Sequence, residues 1–144
     1  MAELRINDSI RAKWYGGVRS IDSITAVVFH YTANVGMMAS ALGNARYFAA
    51  GSEGRKASAH YIVDEGDVAY ECVPIYRVAW AVGDGNGGTM GKLINNTNSV
   101  SIEMVSHTKD GVSFIPEKTM ENAGKLYRML LMKLPNVKHI ARHY

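Results

Sequence analysis

A short apolar, β-branched run that ends in a histidine constrains the fold more than any other stretch. Residues 24–29 read ITAVVF, the composition expected of a strand that is buried on both faces. His30 follows directly, and residues 31–34 turn polar and loop-like. A histidine at the end of a buried strand is held rigidly at a sheet edge, where it can ligate a metal ion. It can also be a hydrogen-bonded histidine that simply closes the strand, and this stretch leaves both interpretations open.

Length and composition exclude several classes of protein. A chain of 144 residues with 47% apolar and 20% charged residues predicts one soluble globular domain with a proper core. The single cysteine, Cys72, excludes an internal disulfide framework and fits folding in a reducing cytoplasm. The N-terminal stretch has scattered charges and no apolar segment, so we expect synthesis in the cytoplasm without a signal peptide.

Charge and hydropathy also limit the partners. No apolar run approaches the roughly 20 residues that a membrane span requires, so we expect no membrane insertion. The net charge of +3 is mild, and no dense cluster of Lys and Arg is interleaved with aromatic residues. Nucleic acid is therefore excluded as a partner, whereas an anionic polymer remains compatible with the charge.

Apolar periodicity predicts the elements of the first half of the chain. Residues 1–23 are weakly patterned and predict a segment on the surface of the domain. Apolar side chains recur at three- and four-residue steps from Met38, which predicts an amphipathic helix that ends near Gly51. Ala57–Asp64 and Val68–Val73 then read as two strands joined by a turn, which is a hairpin.

The second half begins with turn residues and ends in regular structure. Residues 74–98 hold so many Gly, Asn and Asp that we expect a long ordered loop, a feature that is often functional. Ser99–Val105 alternates as a strand, and a helix from Pro116 carries one predicted buried stripe, made up of Met120, Ala123, Tyr127, Leu130, Leu131 and Leu134. Lys138–Ala141 is a last short strand. The fold class is therefore α/β, with a central mixed sheet of about five to six strands flanked by helices.

Two histidines follow predicted strands at opposite ends of the chain. His30 and His143 each lie just past a short strand, and they converge at one sheet edge if those strands are neighbours. Catalytic zinc sites take three protein ligands and leave one position for water. Two histidines so far apart in sequence do not by themselves decide for such a site.

Five stretches carry a resemblance to a known family. They read VVFHYTAN, SAHYIVDEGDVAYECVP, AWAVGDGN, NSVSIEM and HIARHY, in this order over residues 24–144. Together they resemble the type 2 N-acetylmuramoyl-L-alanine amidases, which share a fold with the peptidoglycan-recognition proteins. The phage and prophage endolysin branch is the most similar, because AWAVGDGN is typical of it.

The resemblance implies a zinc site and a catalytic carboxylate. His30 and His143 match the first and second zinc ligands of the family, and Glu103 matches the residue that acts as a general base or orients the water. Zinc lowers the pKa of bound water and polarises a carbonyl, so amide hydrolysis becomes feasible near neutral pH. Strand alternation puts Glu103 on the more polar face of its strand. Without the family match, a solvated strand residue is an equally open interpretation of Glu103.

The resemblance also implies residues around the site. His60 matches a family histidine that lies near the zinc site but is not a zinc ligand. It therefore either contacts the residues that form the site or packs in the core. Asp84 and Asn86 are explained nearly as well by turn chemistry. The residues expected to bind substrate or to support the site are His60, Tyr31, Thr32, Trp80, Asp84 and Asn86.

The family pattern continues beyond this sequence. Its last motif runs on to a cysteine or aspartate that is the third zinc ligand, whereas the sequence stops at Tyr144. We therefore expect residues 1–144 to be a single amidase-type catalytic domain that lacks its C-terminal end. Two histidines alone bind zinc more weakly than three ligands, so we expect impaired activity of this polypeptide.

Three functions follow as hypotheses. The first is a zinc amidase of an endolysin that cleaves the bond between N-acetylmuramic acid and L-alanine, with peptidoglycan or a muropeptide as partner. Such an enzyme acts on the bacterial cell wall after release from the cell. The second is a recognition module that binds peptidoglycan and cuts nothing. The third is an unrelated metal hydrolase or a purely structural domain.

Overall fold

The structure is a computed structural model that describes residues 3–32, 40–82 and 93–142. In these ranges the chain forms a six-stranded sheet, a separate two-stranded hairpin and two α-helices. The elements are β1 (Arg5–Asn7), β2 (Ala26–Thr32), α1 (Ala41–Ala49), β3 (Tyr61–Val63), β4 (Val68–Glu71), β5 (Ser99–Val105), β6 (His107–Lys109), β7 (Val112–Phe114), α2 (Glu117–Leu131) and β8 (His139–Arg142). Single turns of 3-10 helix lie at Ile21–Ser23, Ser52–Gly54 and Asn96–Asn98.

The sheet is mixed, as the sequence predicts. Its strand order is β1-β4-β3-β5-β2-β8. β3, β5, β2 and β8 run parallel to one another, while β4 is antiparallel to β3 and parallel to β1. β2 and β8 are direct neighbours, which is the adjacency that the two-histidine hypothesis requires. The prediction of an α/β fold with a mixed sheet of five to six strands is therefore confirmed.

The central strand β5 divides its side chains between two different environments. Val100, Ile102 and Met104 are buried in a core cluster that includes Ala123, Leu126 and Leu130 of α2. The alternate residues Ser99, Ser101 and Glu103 therefore point to the other face, which α1 covers. On that face the core consists of side chains from α1 together with Ile62, Cys72 and Val105. The predicted alternation of β5 holds along its whole length.

The buried stripe of α2 differs from the predicted one. Met120 and Leu131 are 51% and 40% exposed, so their predicted burial is wrong. The Asn122 side chain explains the rotation of the helix, because it donates hydrogen bonds of 2.8 and 2.6 Å to the carbonyls of Asp64 and Gly66. The buried positions are Thr119, Asn122, Ala123, Leu126 and Leu130.

The N-terminal segment belongs to the sheet rather than lying only on its surface. β1 is an edge strand that pairs with β4 from Arg5↔Val68 to Asn7↔Tyr70. Leu4 is buried in the core, with 5% exposure. A three-residue strand shows no alternation long enough to detect, and its partner lies about sixty residues away, so the sequence-based expectation was wrong here.

Most other elements start and end close to the predicted residues. α1 ends at Ala49 and Gly51 follows with a left-handed φ of 100°, as expected for a glycine that ends a helix. The predicted start of this helix at Met38 lies outside the described residues. Only Tyr61–Val63 of the predicted strand over Ala57–Asp64 is regular. In the described ranges, no helix combines the length and the hydropathy that a membrane span needs.

Candidate active site

His30 and Glu103 lie side by side on neighbouring parallel strands. β2 and β5 pair in register over seven residues, and His30 is the partner of Glu103. Paired residues on adjacent strands point to the same face and are about 4.8 Å apart across the ladder. Ile62 of β3 is the partner of Glu103 on its other side. The sheet therefore brings an imidazole and a carboxylate, 73 positions apart in sequence, onto the face that α1 covers.

Both side chains line one cavity of about 320 Å³. A cavity of this size, with a few converging polar groups, is typical of small-ligand and catalytic sites. The cavity lies between the sheet, α1 and the segments that precede β3 and follow β4. Its lining residues are His30, Asn44, Tyr47, Phe48, Glu53, Arg55, Ala57, Ser58, Ala59, Trp80, Ala81 and Glu103.

The Glu103 carboxylate is held in an apolar setting. Its Oε2 atom is buried and accepts no hydrogen bond from any residue that the structure describes. Burial raises the pKa of Glu103 to about 7. Desolvation disfavours the charged form of a carboxyl group, whereas a cation placed beside it would favour that form. A carboxyl group whose pKa lies near neutrality is suited to proton transfer.

One donor of the kind that zinc binds is present in the described part of the cavity. His30 supplies an imidazole, and the Glu103 carboxylate beside it could accept a proton from zinc-bound water. In the residues that the structure describes, no three His, Cys, Asp or Glu side chains cluster closely enough to hold a metal ion. His143, the second predicted ligand, lies outside the described ranges. The donor set thus fits zinc chemistry as far as it is described.

His60 is a buried, neutral histidine behind the site. Its Nδ1 accepts a hydrogen bond of 3.1 Å from the Ser101 N–H, so its Nε2 carries the proton and donates to the Arg77 carbonyl at 2.9 Å. Burial and the nearby Arg19 lower the pKa of His60 to about 3. His60 is 1% exposed and does not line the cavity. Its contacts are those of a packing residue that fixes the backbone of β5.

Arg19 organises the loop beside the site and has no sequence signature. Its guanidinium donates to the carbonyls of Ile75, Asn96, Thr97 and Ser99 at 2.9–3.2 Å. Within the described residues it forms no ion pair, and burial lowers its pKa to about 10. Its Nη2 also lies 3.1 Å from His60 Nε2. An arginine whose partners are mostly carbonyls far away in sequence leaves no local pattern, so sequence reasoning missed it.

Asn96 extends this network to the cavity wall. While its carbonyl accepts from Arg19, its side-chain Oδ1 accepts hydrogen bonds from the backbone N–H groups of Ala81 and Val82 at 3.0 and 2.8 Å. Ala81 and the preceding Trp80 line the cavity. The asparagine-rich stretch that suggested a loop therefore supplies the side chain that holds one wall of the site.

Trp80 is in the cavity wall, where the sequence places it. Its N–H donates to Ser58 Oγ at 3.1 Å, and its carbonyl accepts from the Ser58 N–H at 3.1 Å. Gly16 packs so closely that a Cβ atom there would lie 2.9 Å from Trp80 Nε1. A side chain at position 16 would therefore displace the indole or the backbone around it. The hydrogen bonds hold the Trp80 backbone and the packing against Gly16 confines its ring, whose predicted role in binding substrate stays a prediction.

Within the described ranges, the structure does not place the other predicted substrate-binding residues in the cavity. Tyr31 is 47% exposed and alternates with His30, so it points to the opposite face and does not line the cavity. Thr32 is buried, and its Oγ1 accepts a hydrogen bond of 3.2 Å from the Ser106 N–H. Asp84 and Asn86 lie outside the described residues. Thr32 thus has a structural partner, and no described contact joins it or Tyr31 to the cavity.

A left-handed turn forms the rim of the cavity and was not singled out from the sequence. Gly51, Ser52, Glu53 and Gly54 have φ values of 100°, 56°, 54° and 87°. Non-glycine residues with positive φ are strained and concentrate at functional sites. The turn is fixed by hydrogen bonds from Tyr47 Oη to the Ser52 carbonyl and from Ser52 Oγ to the Ala57 carbonyl. The only local signal is the pair of glycines that bracket it.

Comparison with known proteins shows the family to which this chain belongs. A family model described as N-acetylmuramoyl-L-alanine amidase matches residues 20–144. A probable N-acetylmuramoyl-L-alanine amidase of Bacillus licheniformis is 33% identical over 146 residues, which cover 96% of this chain and 39% of that protein. The chain therefore spans about two fifths of the length of this relative.

Solved structures of amidases and endolysins have a similar fold. A mutant endolysin from Bacillus subtilis superposes with a TM-score of 0.69 at 24% identity, covering 97% of this chain and 84% of that one. The Staphylococcus aureus hydrolase AmiA, solved in complex with its ligand, gives a TM-score of 0.69 at 20% identity, covering 100% of this chain and 67% of that one. At these identities the likeness shows the fold. Together with the match over residues 20–144, it shows that this chain belongs to the N-acetylmuramoyl-L-alanine amidase family.

Proposed function

We propose that this chain is a zinc-dependent amidase domain that hydrolyses the amide bond between N-acetylmuramic acid and the L-alanine of the stem peptide. The observation that carries the proposal is the pairing of His30 with Glu103 at the wall of one cavity, in a chain of this family. Membership of the family alone does not assign a catalytic group. The pairing supplies a ligand and a carboxylate at the same place.

The metal centre is proposed from His30 and His143. The described pairing of β8 with β2 reaches Phe29↔Arg142, and His30 and His143 follow these two residues in the sequence. A zinc ion held there would supply a Lewis acid that activates water and polarises the amide carbonyl.

Side chains of this protein would transfer the protons and position the substrate. The Glu103 carboxylate would accept a proton from the attacking water and deliver it to the nitrogen of the L-alanine leaving group as the C–N bond breaks. Its burial keeps bulk water from competing for that proton. The indole of Trp80, which packs closely against Gly16, would pack against the substrate.

The proposed partner is peptidoglycan or a soluble muropeptide. The similar structures include a mutant endolysin and a hydrolase with bound ligand. An endolysin role means action on the bacterial cell wall after release from the cell. This assignment rests on the resemblance to the endolysin branch.

A peptidoglycan-binding module without catalysis is the second candidate. The cavity of about 320 Å³ with Trp80 in its wall would bind a ligand in such a module as it would in an enzyme. Such a module would keep the cavity and its Trp80 wall but would need neither zinc nor a carboxylate at position 103. The two candidates therefore differ in what Glu103 does.

The test is release of free L-alanine amino groups from purified cell walls in the presence of zinc. We expect wild type to release them and Glu103→Gln to lower the rate by about 100- to 10,000-fold, the range for loss of a general base. Glu121→Gln, which makes the same change on the exposed face of α2, is the matched control and should stay within about twofold. Binding of walls without amino-group release by wild type would favour the recognition module instead.

A further inference from the structure

A second cavity, of about 310 Å³, lies apart from the His30–Glu103 cavity and shares no lining residue with it. It is lined by Arg11, Tyr15, Cys72, Pro74, Tyr76 and Arg77. Aromatic rings, a proline and arginines are the side chains that commonly bind sugars, peptides and anions at protein surfaces. None of these six residues takes part in the proposed reaction.

The two arginines of this cavity differ in their partners. Arg11 forms an ion pair of 2.9 Å with Glu71, so its charge is already compensated. The Arg77 guanidinium lies 5.0 Å from the centre of the Tyr15 ring. Among the described residues its side chain has neither an ion pair nor a hydrogen bond, although its backbone carbonyl accepts from His60. One cation in this cavity is therefore available to an anionic ligand.

The aromatic side chains around Arg77 are accessible. Tyr15 is 40% exposed and Tyr76 is 55% exposed. Cation–π contact with Tyr15 holds the guanidinium in place while leaving its N–H donors for a planar anion such as a carboxylate. An uncompensated guanidinium in a cavity lined by two accessible rings fits an anion that is carried on a sugar or peptide.

The two cavities are joined by one short segment of chain. Pro74, Tyr76 and Arg77 line the second cavity, and Trp80 and Ala81 line the first. Three residues span at most about 11 Å, so Arg77 and Trp80 are within the length of a few sugar or peptide units of each other. Backbone hydrogen bonds of 2.6 and 3.0 Å between Val78 and the Gly16–Gly17 pair hold this segment in place.

We propose that the second cavity is a subsite for peptidoglycan, in which Arg77 binds a carboxylate of a stem peptide and Tyr15 and Tyr76 pack against the chain that carries it. The proposal rests on the proposed function, because it takes as ligand the polymer that occupies the first cavity. It adds a contact that lies away from the bond to be broken. This subsite serves binding to the wall and leaves the chemical step unchanged.

The experiment is co-sedimentation with purified sacculi from which the phosphate-containing wall polymers have been removed, in the Glu103→Gln background to prevent hydrolysis. We expect Arg77→Gln to weaken binding about tenfold, the size of one charge-assisted hydrogen bond. Tyr76→Ala, which removes an exposed ring and leaves the core intact, should weaken binding about threefold. Arg128→Gln, on an exposed position of α2 across the sheet, is the charge-matched control and should change binding less than twofold.

Amidation of the sacculus carboxylates separates the proposed ligand from other anions. In the Glu103→Gln background, amidation should abolish the difference in sacculus binding between the chain that keeps Arg77 and the chain that carries Arg77→Gln. Equal binding by Arg77→Gln, Tyr76→Ala and Arg128→Gln would overturn the subsite and leave the proposed hydrolysis standing. A difference that survives amidation, or that needs the phosphate polymers, would overturn it as well. Failure of wild type to release amino groups is a separate result, since the binding measurement does not depend on turnover.

Discussion

The two faces of the central sheet are built from the same strands but serve different purposes. On the face covered by α2, Val100, Ile102 and Met104 pack into an apolar cluster. On the face covered by α1, the neighbouring residues of the same strand include Ser101 and Glu103, and the packing leaves a cavity of about 320 Å³. The comparison teaches that one face of this strand is wholly apolar, whereas the other combines an apolar cluster with a cavity and a buried carboxylate that disfavours folding.

The largest expected difference in stability is between substitutions of two adjacent β5 residues that point to opposite faces of the sheet. Ile102→Ala should lower the free energy of unfolding by about 2–5 kcal/mol, because it removes a fully buried side chain from the α2 core. Glu103→Gln, one residue further on, should leave the stability of the metal-free chain unchanged or raise it, since it neutralises a buried oxygen that has no donor in the described residues. Urea denaturation of both variants measures the difference. Equal destabilisation by the two would contradict the division between the faces.

His60 should make the chain sensitive to acid. Its folded pKa of about 3 is below the ordinary value of 6.5, so the unfolded chain binds a proton that the folded chain excludes. The stability is therefore fully present above pH 6.5 and is lost as the pH falls towards 3, by at most about 1.4 kcal/mol per pH unit. Unfolding free energies of wild type and His60→Gln across this window give the difference in slope. Parallel pH profiles would show that His60 is not a buried neutral group.

The smallest effect is expected at the rim of the cavity. Glu53 has a φ of 54°, which glycine adopts without strain, so Glu53→Gly should raise the free energy of unfolding by up to about 1 kcal/mol. Glu121→Gly in the middle of α2 should lower it by about 1 kcal/mol, the helix penalty for glycine, and is the control. Thermal unfolding of both variants shows whether each substitution raises or lowers the free energy of unfolding. A loss of stability in Glu53→Gly would mean that the left-handed turn is not strained at this position.

The sequence predicts best those features that depend on local alternation. β5 has the bounds that were predicted from its pattern, and its two faces follow from that pattern alone. The strand β1 was missed because its three residues are ordered by pairing with β4 rather than by their own pattern. Met120 and Leu131 were predicted to be buried because apolar spacing does not reveal the hydrogen bonds of Asn122, which set the rotation of α2.

The candidate site also depends on contacts between residues that are far apart in sequence. His30 and Glu103 were proposed from the family resemblance, and their pairing could not be derived because strand order is not encoded locally. Arg19 was missed because most of its partners are carbonyl groups of residues 75–99, which have no side-chain signature. The rim turn was missed because two bracketing glycines also occur in ordinary loops. Residues that act through the backbone of others are the ones that sequence reasoning finds least easily.

The central claim is that the face carrying His30 and Glu103 holds a zinc ion. Isothermal titration of the metal-free chain with zinc tests it directly, with His30→Ala compared against Tyr31→Ala, its neighbour on the opposite face. We predict one zinc ion per chain, an affinity lowered by about 100-fold or more in His30→Ala, and an unchanged affinity in Tyr31→Ala. Zinc binding that is the same in all three proteins, or absent from wild type, would contradict the account.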